Sequence, residues 1–458
     1  MRIAILLCAL VTATAGLYSC YKEKYEPINH VEAGIDFTKP YNKELNGQSI
    51  SVAQGWAQNS INAVVFRRNS VVSYNNNQYV AFYDANGYLT LAKRKLNSNT
   101  WTIHKTDYKG NIKDAHCSIS IMIDGDGYLH LAWNHHNSKL LYCKSKKPES
   151  LDLSESTFMI GKNEELVTYP EFHKFPNGDL FFLYRDGTSG KGSLVINRYR
   201  ISDQKWTRVH KRLIDGEKER NAYWQASTDD KGTFHISWVW RESSDVSSNH
   251  DMCYAKTTDF GETWQKSDGR QYNLPITKAS AEYVSSIPEN SNLINQTSMY
   301  ADKNGIPYIA TYYTAKEDSV TQFFLIYQDH DSWKTTQITQ RVTPFSLQGG
   351  GTKKIPISRP QVVVNDKNDQ TQVILIYRDI EFDNKIIIVK NLDADFTIWN
   401  TQLITDYSVE SWEPTYDTEL WKEYKKLHLF VQKVGQGDVE TLENLPAQDV
   451  KIHEIEME

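Results

Sequence analysis

Cysteine is scarce and poorly placed for bridging. The 458-residue chain has five, and Cys8 and Cys20 sit in its first segment. Cys117, Cys143 and Cys253 remain, an odd number, so no disulfide framework is expected, and a chain of this length needs none to support a core. Basic surplus is also missing. The net charge of −6 argues against general nucleic-acid binding, and an anionic ligand would need a local basic pocket. Long helical periodicity is absent. No cofactor-binding motif stands out, and neither a cofactor nor a metal is expected.

Long apolar runs are missing as well, apart from one. Ile3 to Ala15 follows Met1-Arg2 and has the length of a signal peptide, too short for a membrane span. It leads into Leu17-Tyr18-Ser19-Cys20, the pattern of a bacterial lipoprotein processing site. The expectation is a signal peptide over 1–19, lipid on Cys20, and an exported lipoprotein at the cell surface or in the periplasm. Its only membrane contact would be that lipid. An ordinary signal peptide with a chance cysteine is the alternative.

What the chain has is aromatic strands and polar turns. Tyr (27) and Trp (12) are abundant, which suits both strands and sugar-stacking surfaces. A unit recurs: a short strand, a turn of Asp, Asn and Gly, then an apolar strand ending in aromatic or charged residues. One copy runs from Cys117 through Asp124-Gly125-Asp126-Gly127 to Trp133. Another runs from Tyr223 through Asp229-Asp230-Lys231-Gly232 to Trp240. First strands begin near Ser70, His116, Tyr169, Asn221, Asn295, Arg359 and Glu413. Their spacing of roughly 50 to 70 residues is that of a four-stranded propeller blade. The fold read from this is all-β, a seven-bladed β-propeller in one domain over 20–458, with a strand near 48–52 closing the last blade. A two-domain sandwich is the alternative. One Asp-box, Thr257 to Trp264, fits the turn before an outer strand.

In up-and-down blades the loop into the first strand and the loop out of the second share one face. The residues there are His116, Asn134-His135-His136-Asn137, Tyr169, Tyr184-Arg185-Asp186, Arg220 to Trp224, Trp240-Arg241, Asn295, Tyr312-Tyr313, Arg359, Tyr377-Arg378-Asp379 and Trp412-Glu413. Such a rim fits a carbohydrate pocket with charge-handling groups. Any one of these residues is equally explained as a strand end or a carbonyl cap, but the opposite rim, made of Asp, Asn, Gly and Lys turns, lacks the collection.

Longer motifs carry a resemblance. Asp114-Ala115-His116, Asp124 to His130, Asn134 to Ser138, Tyr184-Arg185-Asp186-Gly187, Arg220 to Trp224 and Trp238 to Glu242 resemble the BNR-repeat propeller proteins. That group includes ulvan lyases and enzymes cleaving rhamnosyl-glucuronate, of the glycoside hydrolase 145 and polysaccharide lyase 42 type. The resemblance implies an enzyme acting on L-rhamnose-α-1,4-D-glucuronate ends of an acidic polysaccharide of arabinogalactan or ulvan type. It implies His116, His136, Tyr184 and Arg198 as catalytic, with Arg200 a possible substitute for Arg198. Arg220, Tyr223, Trp240, Arg241 and Arg359 are implied as substrate-binding. Rhamnose-releasing relatives use a histidine at the other end of the channel, and the comparable position here is Gln48, which cannot shuttle a proton.

The chemistry asks for these residue types. A uronate lyase removes the C5 proton beside a carboxylate, and an Arg offsets the charge that builds up. A neutral His or a Tyr takes the proton, and a second group protonates the leaving oxygen. Zinc on His116, Cys117, His136 and Cys143 is disfavoured, because adjacent strand residues face opposite ways. His130 and His235 fall mid-strand and read as packed. Hydrolysis of the same bond by an α-L-rhamnosidase, and glycan binding without catalysis, are the alternatives to elimination. A sialidase does not fit, because its arginine triad cannot be assembled.

Overall fold

The computed structural model describes residues 47–366 and 370–457. The expectations for the signal peptide and Cys20 fall outside them. Seven antiparallel sheets make a seven-bladed β-propeller. Their inner strands begin at Val71, Ile119, Val167, Asn221, Ser298, Gln361 and Thr415. Each lies close to a start read from the sequence, and neighbouring inner strands touch from the seventh blade through the first to the sixth.

A repeated turn explains why the pattern was legible. Asp124 Oδ1 accepts from the backbone N–H of Asp126 and Tyr128. Asp229 does the same for Lys231 and Thr233, and Asp302 for Asn304 and Ile306. Gly127, Gly232 and Gly305 each take φ of +85° there, a region that costs glycine nothing. Two of these turns also anchor a histidine. His130 bridges Asp124 (3.0 Å) and the Tyr142 hydroxyl (2.7 Å), and His235 bridges Asp229 (3.3 Å) and the Tyr254 hydroxyl (2.7 Å). Both imidazoles are buried structural links. Asp259 folds the Asp-box by accepting from Thr263. Asp393 and Thr397 repeat that geometry in the sixth blade, although no glycine marks it in the sequence.

The ring closes with both ends of the described chain in one sheet. Gly47–Gly55 pairs antiparallel with Gln448–Ile455 and forms the outer strand of the blade begun by Thr415–Tyr416. Gln48 lies exposed on this outer strand opposite Glu454. It sits at the edge of a blade and not at an end of the channel, so its match to a channel histidine is corrected. A second departure shapes the site. His136–Ser138, in the loop between the second and third strands of the second blade, pairs with the inner strand Val167–Lys174 of the third.

Candidate functional site

The cavity opens on the face where the sequence gathered its aromatic and charged rim. It holds about 170 Å³, small beside the roughly 300 Å³ at which ligand pockets usually begin. Its lining includes Phe66, His116, His136, Tyr169, Arg185, Tyr223, Arg241, Asn295, Thr352, Lys353 and Arg359.

The two histidines form its floor. Their rings stack with centroids 4.1 Å apart and planes 17° apart. One carboxylate holds both: Asp114 Oδ2 lies 2.6 Å from His136 Nδ1, and Oδ1 lies 3.0 Å from His116 Nδ1. Glu440 Oε1 is also 3.2 Å from His116 Nδ1. Phe66 stacks on the free side of His116 at 5.4 Å. Burial disfavours the His116 imidazolium, but Asp114 and Glu440 outweigh it and raise the pKa above the ordinary histidine value. Burial would likewise raise Asp114, yet its histidine partners hold it well below the usual carboxylate range.

Asp114, His116 and His136 are also the side chains whose potential metal-ligand atoms lie within 4.8 Å of one another. Both Nδ1 atoms are at hydrogen-bond distance from the carboxylate, so the geometry is that of an aspartate orienting two imidazoles. Cys117 and Cys143, weighed for zinc, are buried in the core and outside this group.

Tyr169 and Tyr223 make the next wall, 6.0 Å apart. Tyr169 reaches the cavity through a bulge: the pairing with Leu180–Asp186 shifts between Thr168 and Glu171, and Tyr169 takes φ of +58°. A bulky side chain at positive φ is strained, and such strain gathers at functional sites. Arg185 Nη1 lies 3.5 Å from the Tyr223 hydroxyl, and the Arg241 guanidinium lies 5.3 Å from the Tyr223 ring centre. Burial pushes the Tyr223 phenol up, but Arg185 and then Arg241 outweigh it and bring it down to about 8. Tyr169 is raised by burial and by the charge of its Tyr223 neighbour. Of the two, Tyr223 is therefore the one that ionises first.

Arg185 and Arg241 are anchored to neutral oxygens. Arg185 donates to Gly187 O, Asn137 Oδ1 and Thr168 Oγ1, and Arg241 to Ser243 O and Ser244 O. Among the described residues neither lies within ion-pair distance of a carboxylate, and the same is true of Lys353. A chain of net negative charge thus builds one pocket with unbalanced positive charge, which favours an anion.

The remaining sequence candidates separate cleanly. His116, His136, Tyr223, Arg241 and Arg359 converge on the cavity. Within it, however, Arg359 is spent on Glu413, through contacts of 2.8 and 2.6 Å. Five residues lie elsewhere, counting Arg200, the substitute for Arg198. Tyr184 is buried between blades and donates to Asn163 O at 2.7 Å. Arg198 pairs with Asp179 at 2.7 Å beside the Asn177-Gly178 turn, at the far end of the blade. Arg200 pairs with Asp203 on the surface. Arg220 is held by Glu217, Glu219 and Glu242, and Trp240 is fully buried against Trp238. The correction has a simple cause. Successive strand residues face opposite ways, so Arg185 enters the cavity and its neighbour Tyr184 enters the core. Tyr169, Arg185 and Asn295 belonged to the rim read from the sequence, but nothing there raised them above their neighbours. Phe66, Thr352, Lys353 and Glu440 carried no sequence signal.

Known proteins resemble this chain in sequence and fold. An ulvan lyase of Nonlabens ulvanivorans is 24% identical over 230 residues, 43% of this chain and 48% of that protein. The chain thus spans about half the length of that relative. Among solved structures, the polysaccharide lyase Uly1 superposes with a TM-score of 0.68 at 15% identity, over 90% of this chain and 99% of that one. A PL25 ulvan lyase bound to -[GlcA(1-4)Rha3S]- gives 0.65 at 14% identity, over 86% and 96%. At such identities the likeness is one of fold. Residues 77–341, more than half of the chain, match the profile described as a BNR repeat-containing family member, and the chain belongs to that family.

Proposed function

We propose that the protein is a polysaccharide lyase that cleaves L-rhamnose-α-1,4-D-glucuronate ends of an acidic polysaccharide by β-elimination. The observation that carries this reading is geometric: Arg185 lies 3.5 Å from the Tyr223 hydroxyl and Arg241 5.3 Å from its ring centre, two guanidiniums with no carboxylate partner among the described residues, and they favour the phenolate. Arg185 and Arg241 would take the uronate carboxylate and offset the second charge that builds as C5 loses its proton. The Tyr223 phenolate accepts that proton. The C5–H electron pair becomes the C4=C5 double bond, the C4–O bond breaks, and an imidazole of the His116–His136 pair protonates the departing oxygen. The ulvan lyase relative and the oligosaccharide held by the PL25 structure support the substrate class.

Hydrolysis of the same bond has less support. Most glycosidases need one protonated carboxyl beside a second carboxylate. Asp114, Glu440 and Glu413 are the carboxylates that hold the cavity's lining residues His116, His136 and Arg359. Although burial raises each, their His or Arg partners bring all three below the ordinary range, so none holds a proton to donate.

The test is to incubate the protein with ulvan and with gum arabic, following both the ultraviolet absorbance of an unsaturated uronate and the release of rhamnose. Absorbance supports elimination. Free rhamnose without absorbance supports hydrolysis, and binding without product supports a glycan-binding propeller. Export as a lipoprotein, with lipid on Cys20, belongs to the same proposal and is checked by radiolabelled palmitate incorporation and its loss in Cys20→Ala.

A further inference from the structure

One side chain reaches the histidine floor from a segment remote in sequence. Asp438–Glu440 is a single 3-10 turn between the second and third strands of the seventh blade. Val439 and Glu440 both take positive φ, 54° and 61°. Val439 is β-branched and 65% exposed, so its packing does not offset the strain of that conformation. What the turn gains is the placement of Glu440. Its Oε2 accepts from Ala115 N at 2.9 Å. Its Oε1 accepts from Thr352 N at 3.0 Å and lies 3.2 Å from His116 Nδ1. One carboxylate therefore joins the loop carrying His116, the glycine-rich wall at 349–352 and the seventh blade.

Holding the wall does not by itself require a charge on His116. Asp245 already accepts from Gly349 N at 2.7 Å, Asp438 from Lys354 N at 3.0 Å, and Thr352 O from Val439 N at 2.9 Å. Glu440 alone in this turn also meets the imidazole, at the same Nδ1 that Asp114 holds.

We infer that Glu440 is a positioning residue for the reaction: it acts through His116, turning Nδ1 to the carboxylates so that Nε2 is the nitrogen left for substrate. The inference rests on the elimination reading above. In that reaction the His116 imidazolium gives its Nε2 proton to the leaving oxygen and is left neutral. The groups around the ring favour the charged form as the starting state. Asp114 and Glu440 meet Nδ1, the Thr352 hydroxyl lies 3.4 Å from it, and Tyr169 sits 5.7 Å away. His136 covers one face and Phe66 the other, with Arg359 beyond Phe66 at 5.2 Å. Lys353 lines the same cavity, and Cys117, the next residue, is buried with its thiol proton retained.

The experiment uses the full chain, with Glu440→Gln, which removes the charge and whose amide oxygen still accepts from one of the two backbone N–H groups, and Asp438→Asn as a control on the wall. The His116 ring signal is followed by NMR against pH, identified by its loss in His116→Gln, and kcat and KM are measured across the same range. The expected result is a His116 midpoint about 1 unit lower in Glu440→Gln, the scale of one lost opposite charge. With it, kcat should fall about two- to fivefold at pH values between the two midpoints and approach roughly tenfold above the upper one, with KM little changed. Asp438→Asn should move neither. An unmoved midpoint in Glu440→Gln would overturn the inference, as would an equal shift in Asp438→Asn. A wild type that never yields an unsaturated product, while the midpoint shift is present, would defeat the lyase reading and leave the clamp on His116 standing.

Discussion

His136 lies ring over ring on His116, and Asp114 holds both by Nδ1, one carboxylate oxygen to each. The arrangement fixes both tautomers and both ring planes with a single side chain, as an aspartate does for a catalytic imidazole elsewhere. It also means that the two rings do not act independently.

Asp114→Asn is therefore expected to remove most of the turnover, by about 10²–10⁴-fold, the usual worth of placed acid–base catalysis. His116→Ala and His136→Ala should fall in the same range, and combining them with Asp114→Asn should add little, since the three act as a unit. Circular dichroism melting should stay near wild type for His136→Ala, whose ring is partly exposed. Full turnover in Asp114→Asn would contradict the shared tether.

Tyr223 sets the pH dependence. A base must be deprotonated and the His116 acid protonated, so kcat/KM should rise with pH as the Tyr223 phenol, brought down to about 8, ionises, and fall again as the raised His116 imidazolium loses its proton. Tyr223→Phe should lose that rise along with most activity. Tyr184→Phe should leave the profile unchanged, because its hydroxyl is committed to Asn163 O between blades. A stopped assay over a pH series of the three proteins decides between the two tyrosines.

The arginines should divide by partner. Arg359→Ala strands Glu413 in the interior and should cost about 3–5 kcal/mol of stability in chemical denaturation. The sign with pH follows from Glu413. Burial alone would raise its pKa, but Arg359 depresses it, so the pair's contribution is present above the unfolded value of about 4.3 and is lost as pH falls through the folded value. Arg241→Ala should instead raise KM and lower kcat while changing stability less, its bonds being to neutral oxygens. Arg198→Ala, at the far end of its blade, should leave kinetics intact.

Ring closure gives a prediction about the fold. Removing residues up to Gly55 strips the outer strand from the last blade and exposes the edge of Gln448–Ile455. The truncated chain should be recovered mainly as aggregate, whereas removal of the residues before Gly47 should leave a soluble protein. Size-exclusion chromatography of the two truncations is the check.

The sequence by itself determined the repeat, because its signal is local. An aspartate accepting from N–H groups two and four residues on, with a glycine at positive φ beside it, is complete within a few residues wherever it occurs. Asp124, Asp229 and Asp302 announce their blades for that reason, and Asp393 hid its turn by lacking the glycine. His116 and His136 were legible through the motifs that carry the family resemblance, whereas Asp114 stood in one of those motifs with no role assigned. Tertiary structure alone decided which rim residue faces the cavity. Strand alternation separates Arg185 from Tyr184 by one position, and a bulge re-aims Tyr169, neither of which the spacing of side chains reveals. It alone brought Thr352 and Glu440 to His116, because only closure of the ring carries the glycine-rich loop and the seventh blade back to the second. Contacts made across a closed ring depend on every blade between them, and no local pattern encodes that sum.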